Sequence, residues 1–132
     1  MPPTRPVDPP RRPVYLNLPA IRMPIPSIVS ILHRVSGALL FLLGIPWALA
    51  ALDASLASPA AFASYAAVAG HPVAKLIAIG LVWAYVHHLL AGVRHLALDL
   101  HAGLELAAAR RTSAAVFVLA ILITLAVAVR IW

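Results

Sequence analysis

Three runs without a charged residue, Val35 to Leu52, Leu76 to Val93 and Ala114 to Val129, set the pattern of this chain. Polar residues inside them are few and do not recur every three to four positions, so none of the runs has the polar face that a helix of a soluble bundle turns to water. With its flanks, each run supplies the roughly 20 residues a helix needs to cross the hydrocarbon of a bilayer. The pattern predicts an all-α integral membrane protein with three transmembrane helices, over about residues 30–53, 72–100 and 112–132.

Proline and serine mark where the elements begin. Pro24 and Pro26 suit an extended approach and a first helical turn, Ser27 is placed to cap, and the first helix is expected to start near Ser27. Pro46 is expected to kink the same helix, which membrane packing tolerates. The second helix is expected from Pro72 toward Leu100, antiparallel to the first. Residues 1–26, with Arg5, Arg11 and Arg12 among prolines, read as an extended cytoplasmic segment, and residues 27–132 as one three-helix transmembrane domain. No apolar core follows in the first 20 or so residues, so the start does not read as a secretory signal.

Composition agrees with the bilayer: 63% of residues are hydrophobic and 11% charged, with a mean hydropathy of +0.96. The net charge of +6 comes from residues that flank the apolar runs and form no separate basic domain, which argues against nucleic acid as a partner. The same charge orients the chain. With a cytoplasmic amino terminus, Arg5, Arg11, Arg12, Arg22, Arg34, Arg94, Arg110 and Arg111 lie on or near the inner side. Only Lys75 and Arg130 fall outside, which places the C-terminus outside. Zero cysteines exclude a disulfide, a thiolate iron–sulfur ligand and covalent haem attachment.

Candidate chemistry lies in two polar clusters at the cytoplasmic level. On the first helix, Ser30, His33, Arg34 and Gly37 are spaced to share a face. A hydroxyl and a guanidinium there can donate to carbonyl or carboxylate oxygens, an imidazole can pass a proton, and Gly37 is expected to let a ligand come close. On the second helix, His88, Ala91, Gly92, His95 and Asp99 form one stripe whose small residues are expected to leave room for a flat ligand. His88 lies six residues, or about 9 Å, deeper than Arg94. A neutral imidazole at that depth keeps a lone pair that can bind iron or carry a proton. The arrangement fits a haem with its iron at His88 and its propionates toward cytoplasmic cations. His87 points about 100° away and reads as a helix-contact residue and the main rival ligand. His33, His71, His95 and His101 all lie near membrane edges, so a second axial ligand is expected from another subunit. The bland readings are an interfacial arginine snorkelling beside a helix cap, and membrane histidines that only bond neighbouring helices.

The segments Arg12-Pro13, Ser30-Ile31-Leu32-His33-Arg34-Val35-Ser36-Gly37, and His88 followed by Gly92-Val93-Arg94-His95 and Asp99 resemble the cytochrome b subunit of succinate dehydrogenase. The resemblance covers nearly the whole chain. It implies a helix bundle shared with a second small membrane-anchor subunit, haem b held between the two, and docking of iron–sulfur and flavoprotein subunits, the last of which oxidises succinate. It places the axial haem ligand on His88 and the quinone-binding pair on Ser30 and Arg34. His33 comes close to the haem propionates, and Arg34 and His95 stand as further cofactor-contact candidates. Two departures, Leu98 in place of a larger residue and His101 in place of a small one, touch only the end of the second helix.

The expected function is electron transfer from an iron–sulfur subunit to quinone in a bacterial cytoplasmic membrane, as part of the respiratory chain and the tricarboxylic acid cycle. A haem-free structural anchor is the alternative from a different class, and a small transporter ranks third.

Overall fold

The computed structural model describes residues 20–132, so the proline- and arginine-rich segment expected over 1–26 lies, up to residue 19, outside the described residues. Helix α1 (Ile25–Leu39) begins two residues before the expected start. Its N-cap is Pro24, extended at φ −69° and ψ 154°, and no side chain caps it. Ser27 instead donates its backbone N–H to the Pro24 carbonyl at 2.9 Å. Ahead of Pro46 the helix widens into a π turn, Leu40–Gly44, in which the Ile45 N–H donates to the Leu40 carbonyl, before helix α2 (Ile45–Ala57) resumes. Proline explains the irregularity, because Pro46 offers no N–H to the Leu42 carbonyl and its ring would crowd that oxygen in regular α geometry.

A helix absent from the sequence expectation, α3 (Pro59–Ala69), fills the connection to α4 (Pro72–Asp99). Both are started by the same local device. Ser58 Oγ accepts from the Ala61 N–H at 3.1 Å ahead of Pro59, and His71 Nδ1 accepts from the Val73 N–H at 3.3 Å ahead of Pro72. A side-chain acceptor followed by proline at the first helical position satisfies one orphan amide and removes another.

Helix α4 closes with a left-handed residue. His101 sits at φ 61°, its N–H donates to the Leu98 carbonyl at 2.9 Å, and the Ala102 N–H donates to the Ala97 carbonyl at 2.9 Å. This is the paired-bond helix stop that glycine usually completes. Helix α5 (Leu106–Ile131) starts six residues earlier than expected, because Leu106 and three alanines of high helix propensity carry the helix back through Arg110 and Arg111.

Helix α4 packs against both α1 and α5. Val29, Ala91 and Val116, one from each, form the centre of the core, with Leu90 and Phe117 against them. Buried hydroxyls on α5 satisfy themselves: Ser113 Oγ donates to the Ala109 carbonyl and Thr124 Oγ1 to the Ala120 carbonyl, each at 2.7 Å. At one end of the α4/α5 pair Arg94 Nε donates to Thr112 Oγ1 at 3.1 Å, and at the other Lys75 Nζ donates to the Trp132 carbonyl at 3.3 Å. Three helical stretches, Ile25–Ala57, Pro72–Asp99 and Leu106–Ile131, are long and apolar enough to cross a membrane. Large apolar residues such as Phe41 and Leu42 remain exposed on them. The molecule is a multi-pass, all-α membrane protein, its apolar exterior suited to lipid or a neighbouring subunit.

Candidate functional site

The two polar clusters meet where α1 and α4 cross. The His33 and His88 rings stack with centroids 4.1 Å apart and planes 11° from parallel, and the His95 ring lies 5.1 Å from that of His33. Across the helix interface, His88 Nδ1 lies 2.9 Å from the His33 backbone carbonyl and 3.3 Å from Ser36 Oγ. Ser36 Oγ itself donates to the same carbonyl at 3.0 Å. A carbonyl oxygen can only accept, so a contact of 2.9 Å requires the proton to be on Nδ1. That leaves the lone pair of His88 on Nε2, for which no hydrogen bond is found among the described residues.

His88 lines one end of a cavity of about 610 Å³ whose walls also include Gly37, Phe41, Gly44, Trp47, Ala78 and Tyr85. That volume falls in the range of cofactor and small-ligand sites. A half-buried imidazole with an available Nε2, oriented by a backbone carbonyl on its other nitrogen, at the wall of an apolar cavity, is a donor set that fits an axial haem ligand. No cluster of three or more metal-ligating side chains is found among the described residues. A haem, whose iron takes its equatorial ligands from the macrocycle, asks the protein for axial donors only.

The room expected of the small-residue stripe is in a different place. Ala91 is fully buried against Val29 and Val116, and a Cβ on Gly92 would stand 3.4 Å from His33 Nε2. Gly37, expected to admit a ligand, admits the His88 ring, since a Cβ there would stand 2.8 Å from its Cε1. The small residues are spent on bringing α1 and α4 together. Open space at His88 lies in the cavity that Gly37 also borders, and runs along the helix toward Ala78.

A second, shallower cleft of about 400 Å³ gathers Ser30, Arg34 and His95, with Pro26, Ser27, Ile31, Arg94 and Leu98 completing its wall. Arg34 is exposed. Arg94 is only 8% exposed and bonds α5 through Thr112 Oγ1, so it helps hold the helices together as well as bordering the cleft. Asp99 is exposed on the last turn of α4 and borders neither cavity.

His87 faces away from both. It is fully buried, with its ring 5.1 Å from Trp83 and 5.4 Å from Phe117, and neither of its nitrogens has a hydrogen-bond partner among the described residues. Sequence reasoning passed over Ser36 and the aromatic wall of the deeper cavity. Ser36 lies inside the same motif as His33 and Arg34, and its spacing of three from His33 put it within reach of that carbonyl. Phe41, Trp47 and Tyr85 sit in apolar runs where nothing separates a cavity wall from a lipid-facing side chain.

Residues 8–127 match the family described as the succinate dehydrogenase/fumarate reductase transmembrane subunit. The succinate dehydrogenase cytochrome b556 subunit of Paracoccus denitrificans is 38% identical over 104 residues, covering 79% of this chain and 79% of that protein. The protein of the same name from Coxiella burnetii is 33% identical, covering 92% of this chain and 98% of its own length. The one from Rickettsia felis is 30% identical, covering 87% of this chain and 89% of its own.

Proposed function

The chain belongs to the succinate dehydrogenase/fumarate reductase transmembrane-subunit family, and from that premise we propose that it anchors haem b and passes electrons from an iron–sulfur subunit to quinone. The observation that carries this reading is His88: its Nδ1 is held by the His33 carbonyl at 2.9 Å, and it stands at the wall of an apolar cavity. When bound, the haem would supply a one-electron redox centre.

The cleft supplies the rest. Ser30 donates through its hydroxyl and Arg34 through its guanidinium to the carbonyl oxygens of a quinone, and the charge of Arg34 favours those oxygens as they gain electrons. His95 on the opposite wall is placed to hand protons to the reduced oxygens, and His33, stacked on His88 and tilted against His95, would hold a haem propionate on the cytoplasmic side. Two electrons and two protons convert quinone to hydroquinone, and the cleft offers donors for both oxygens. A second small membrane subunit provides the other axial ligand, and iron–sulfur and flavoprotein subunits dock on the cytoplasmic face. The excess of arginine toward that face puts the amino terminus inside and Trp132 outside a bacterial cytoplasmic membrane.

The test separates quinone chemistry from succinate oxidation in the assembled complex. Arg34→Leu removes a hydrogen bond to a charged donor, which contributes about 1.5–3 kcal/mol, so kcat/KM for quinone should fall by about ten- to a hundredfold. Ser30→Ala should cost about tenfold or less, as for a neutral bond. Succinate oxidation by a soluble artificial acceptor should be nearly unchanged. Equal losses in both assays would show that the two residues hold the assembly together and do not bind quinone. A haem-free scaffold would be revealed by a purified complex with no reduced-minus-oxidised haem spectrum.

A further inference from the structure

We infer that Gly37, Ser36 and the His33 carbonyl form a cradle on α1 that sets the ring plane and the tautomer of His88, making Gly37 and Ser36 positioning residues for the ligand. The inference rests on the proposal that His88 binds haem iron and goes beyond it, because it assigns the orientation of a side chain on α4 to the backbone of α1.

Three observations converge. First, a carbonyl inside a helix is normally screened by the side chains around it, yet the His33 oxygen receives His88 Nδ1 from another helix at 2.9 Å. Gly37 makes this approach possible. A Cβ on it would stand 2.8 Å from Cε1 and 3.3 Å from Nδ1, and a separation of 2.8 Å is well inside van der Waals contact, so the ring would have to turn or leave. Second, the cradle is closed on its remaining side by Ser36, which is 1% exposed and whose hydroxyl donates to the carbonyl that the imidazole uses. Third, the His33 ring lies flat on the His88 ring at 4.1 Å, which resists rotation of the imidazole about its own bond to the helix. With Nδ1–H committed to the carbonyl, Nε2 is the only ring nitrogen left with a lone pair. The same bond raises the donor strength of Nε2, since a stronger acceptor at Nδ1 pushes electron density into the ring.

The cradle predicts different results for its two side chains. Gly37→Ala should reduce haem occupancy, or leave haem with an altered low-spin EPR signal, because that signal reports the orientation of the axial imidazole. Ser36→Ala should retain haem at normal occupancy and lower its midpoint potential. Without the hydroxyl competing for it, the His33 carbonyl becomes the stronger acceptor for Nδ1–H, which favours the oxidised iron.

A double-mutant cycle guards against simple misfolding. In the full complex, the loss of thermal stability caused by Gly37→Ala should largely disappear in a His88→Ala background, where the ring is gone. An undiminished loss in that background would overturn the inference, showing that Gly37 packs against something other than His88. So would wild-type occupancy, EPR signal and potential in both Gly37→Ala and Ser36→Ala. If His88→Ala itself retained haem, the ligand proposal would fail, while the stability cycle would still judge the contact between Gly37 and His88.

Discussion

At the scale of the residue, two adjacent histidines have been given opposite surroundings. His88 has one nitrogen bonded across to α1 and a cavity beside it, whereas His87 is enclosed by Trp83 and Phe117 with no partner for either nitrogen among the described residues. In the assembled complex, His88→Ala should abolish or greatly weaken the b-type haem spectrum while the helices still insert, since insertion depends on apolar length and not on one imidazole. His87→Ala should keep the spectrum and lower stability through a cavity left in the three-helix core. A spectrum that survives loss of His88 and disappears with His87 would move the ligand by one residue. The placement of these side chains was largely legible in the chain: a helical rotation of about 100° per residue already sends neighbours to different faces. Their partners were not. Spacing along one helix says which residues share a face, but that Gly37 faces the His88 ring and Gly92 faces His33 depends on the register between two helices, which a single sequence does not encode in its spacings.

At the scale of the element, legibility followed how much polar contrast each segment carries. The α4 boundaries at Pro72 and Asp99 were readable from the proline and the polar run that closes it. Helix α3 was not, because Pro59–Ala69 is almost wholly apolar and offers no period to follow, and Pro46 announced an irregularity in the first helix without showing that it takes the form of a π turn. The position of the α4 stop was readable but its conformation was not, because the left-handed position that glycine usually marks is held by His101 at φ 61°. A residue with a Cβ costs about 1–2 kcal/mol there relative to one without. His101→Gly should therefore raise the stability of the complex by about 1 kcal/mol, read as a higher melting temperature, with His101→Ala close to neutral because alanine meets the same steric cost. If both substitutions weakened retention of the soluble subunits by similar amounts, the imidazole would be contributing contacts to them and not merely occupying a strained turn.

At the scale of the whole molecule, the proposed haem site needs a donor that this chain's histidines are not placed to give. The His33 and His88 rings lie face to face, so a haem held through His88 would not find its second ligand in His33. His87 is turned into the α1/α4/α5 core, and His95 borders the shallower cleft. His71 caps the start of α4, and His101 lies beyond its end. The side of His88 that remains open is walled by apolar and aromatic residues of α1, the π turn, α2 and α4, with exposed Phe41 and Tyr85 among them. A second membrane subunit laid on that side would cover this surface and bring the missing donor. Expressed alone, the chain should thus insert with three spans and carry a reporter fused after Trp132 on the outer side, as the inner excess of arginine requires. It should not produce a complete low-spin, six-coordinate haem spectrum until the second membrane subunit is co-expressed. A full low-spin signal from the isolated chain would overturn the shared-ligand arrangement, and an inside location for the reporter would reverse the topology while leaving the ligand argument standing.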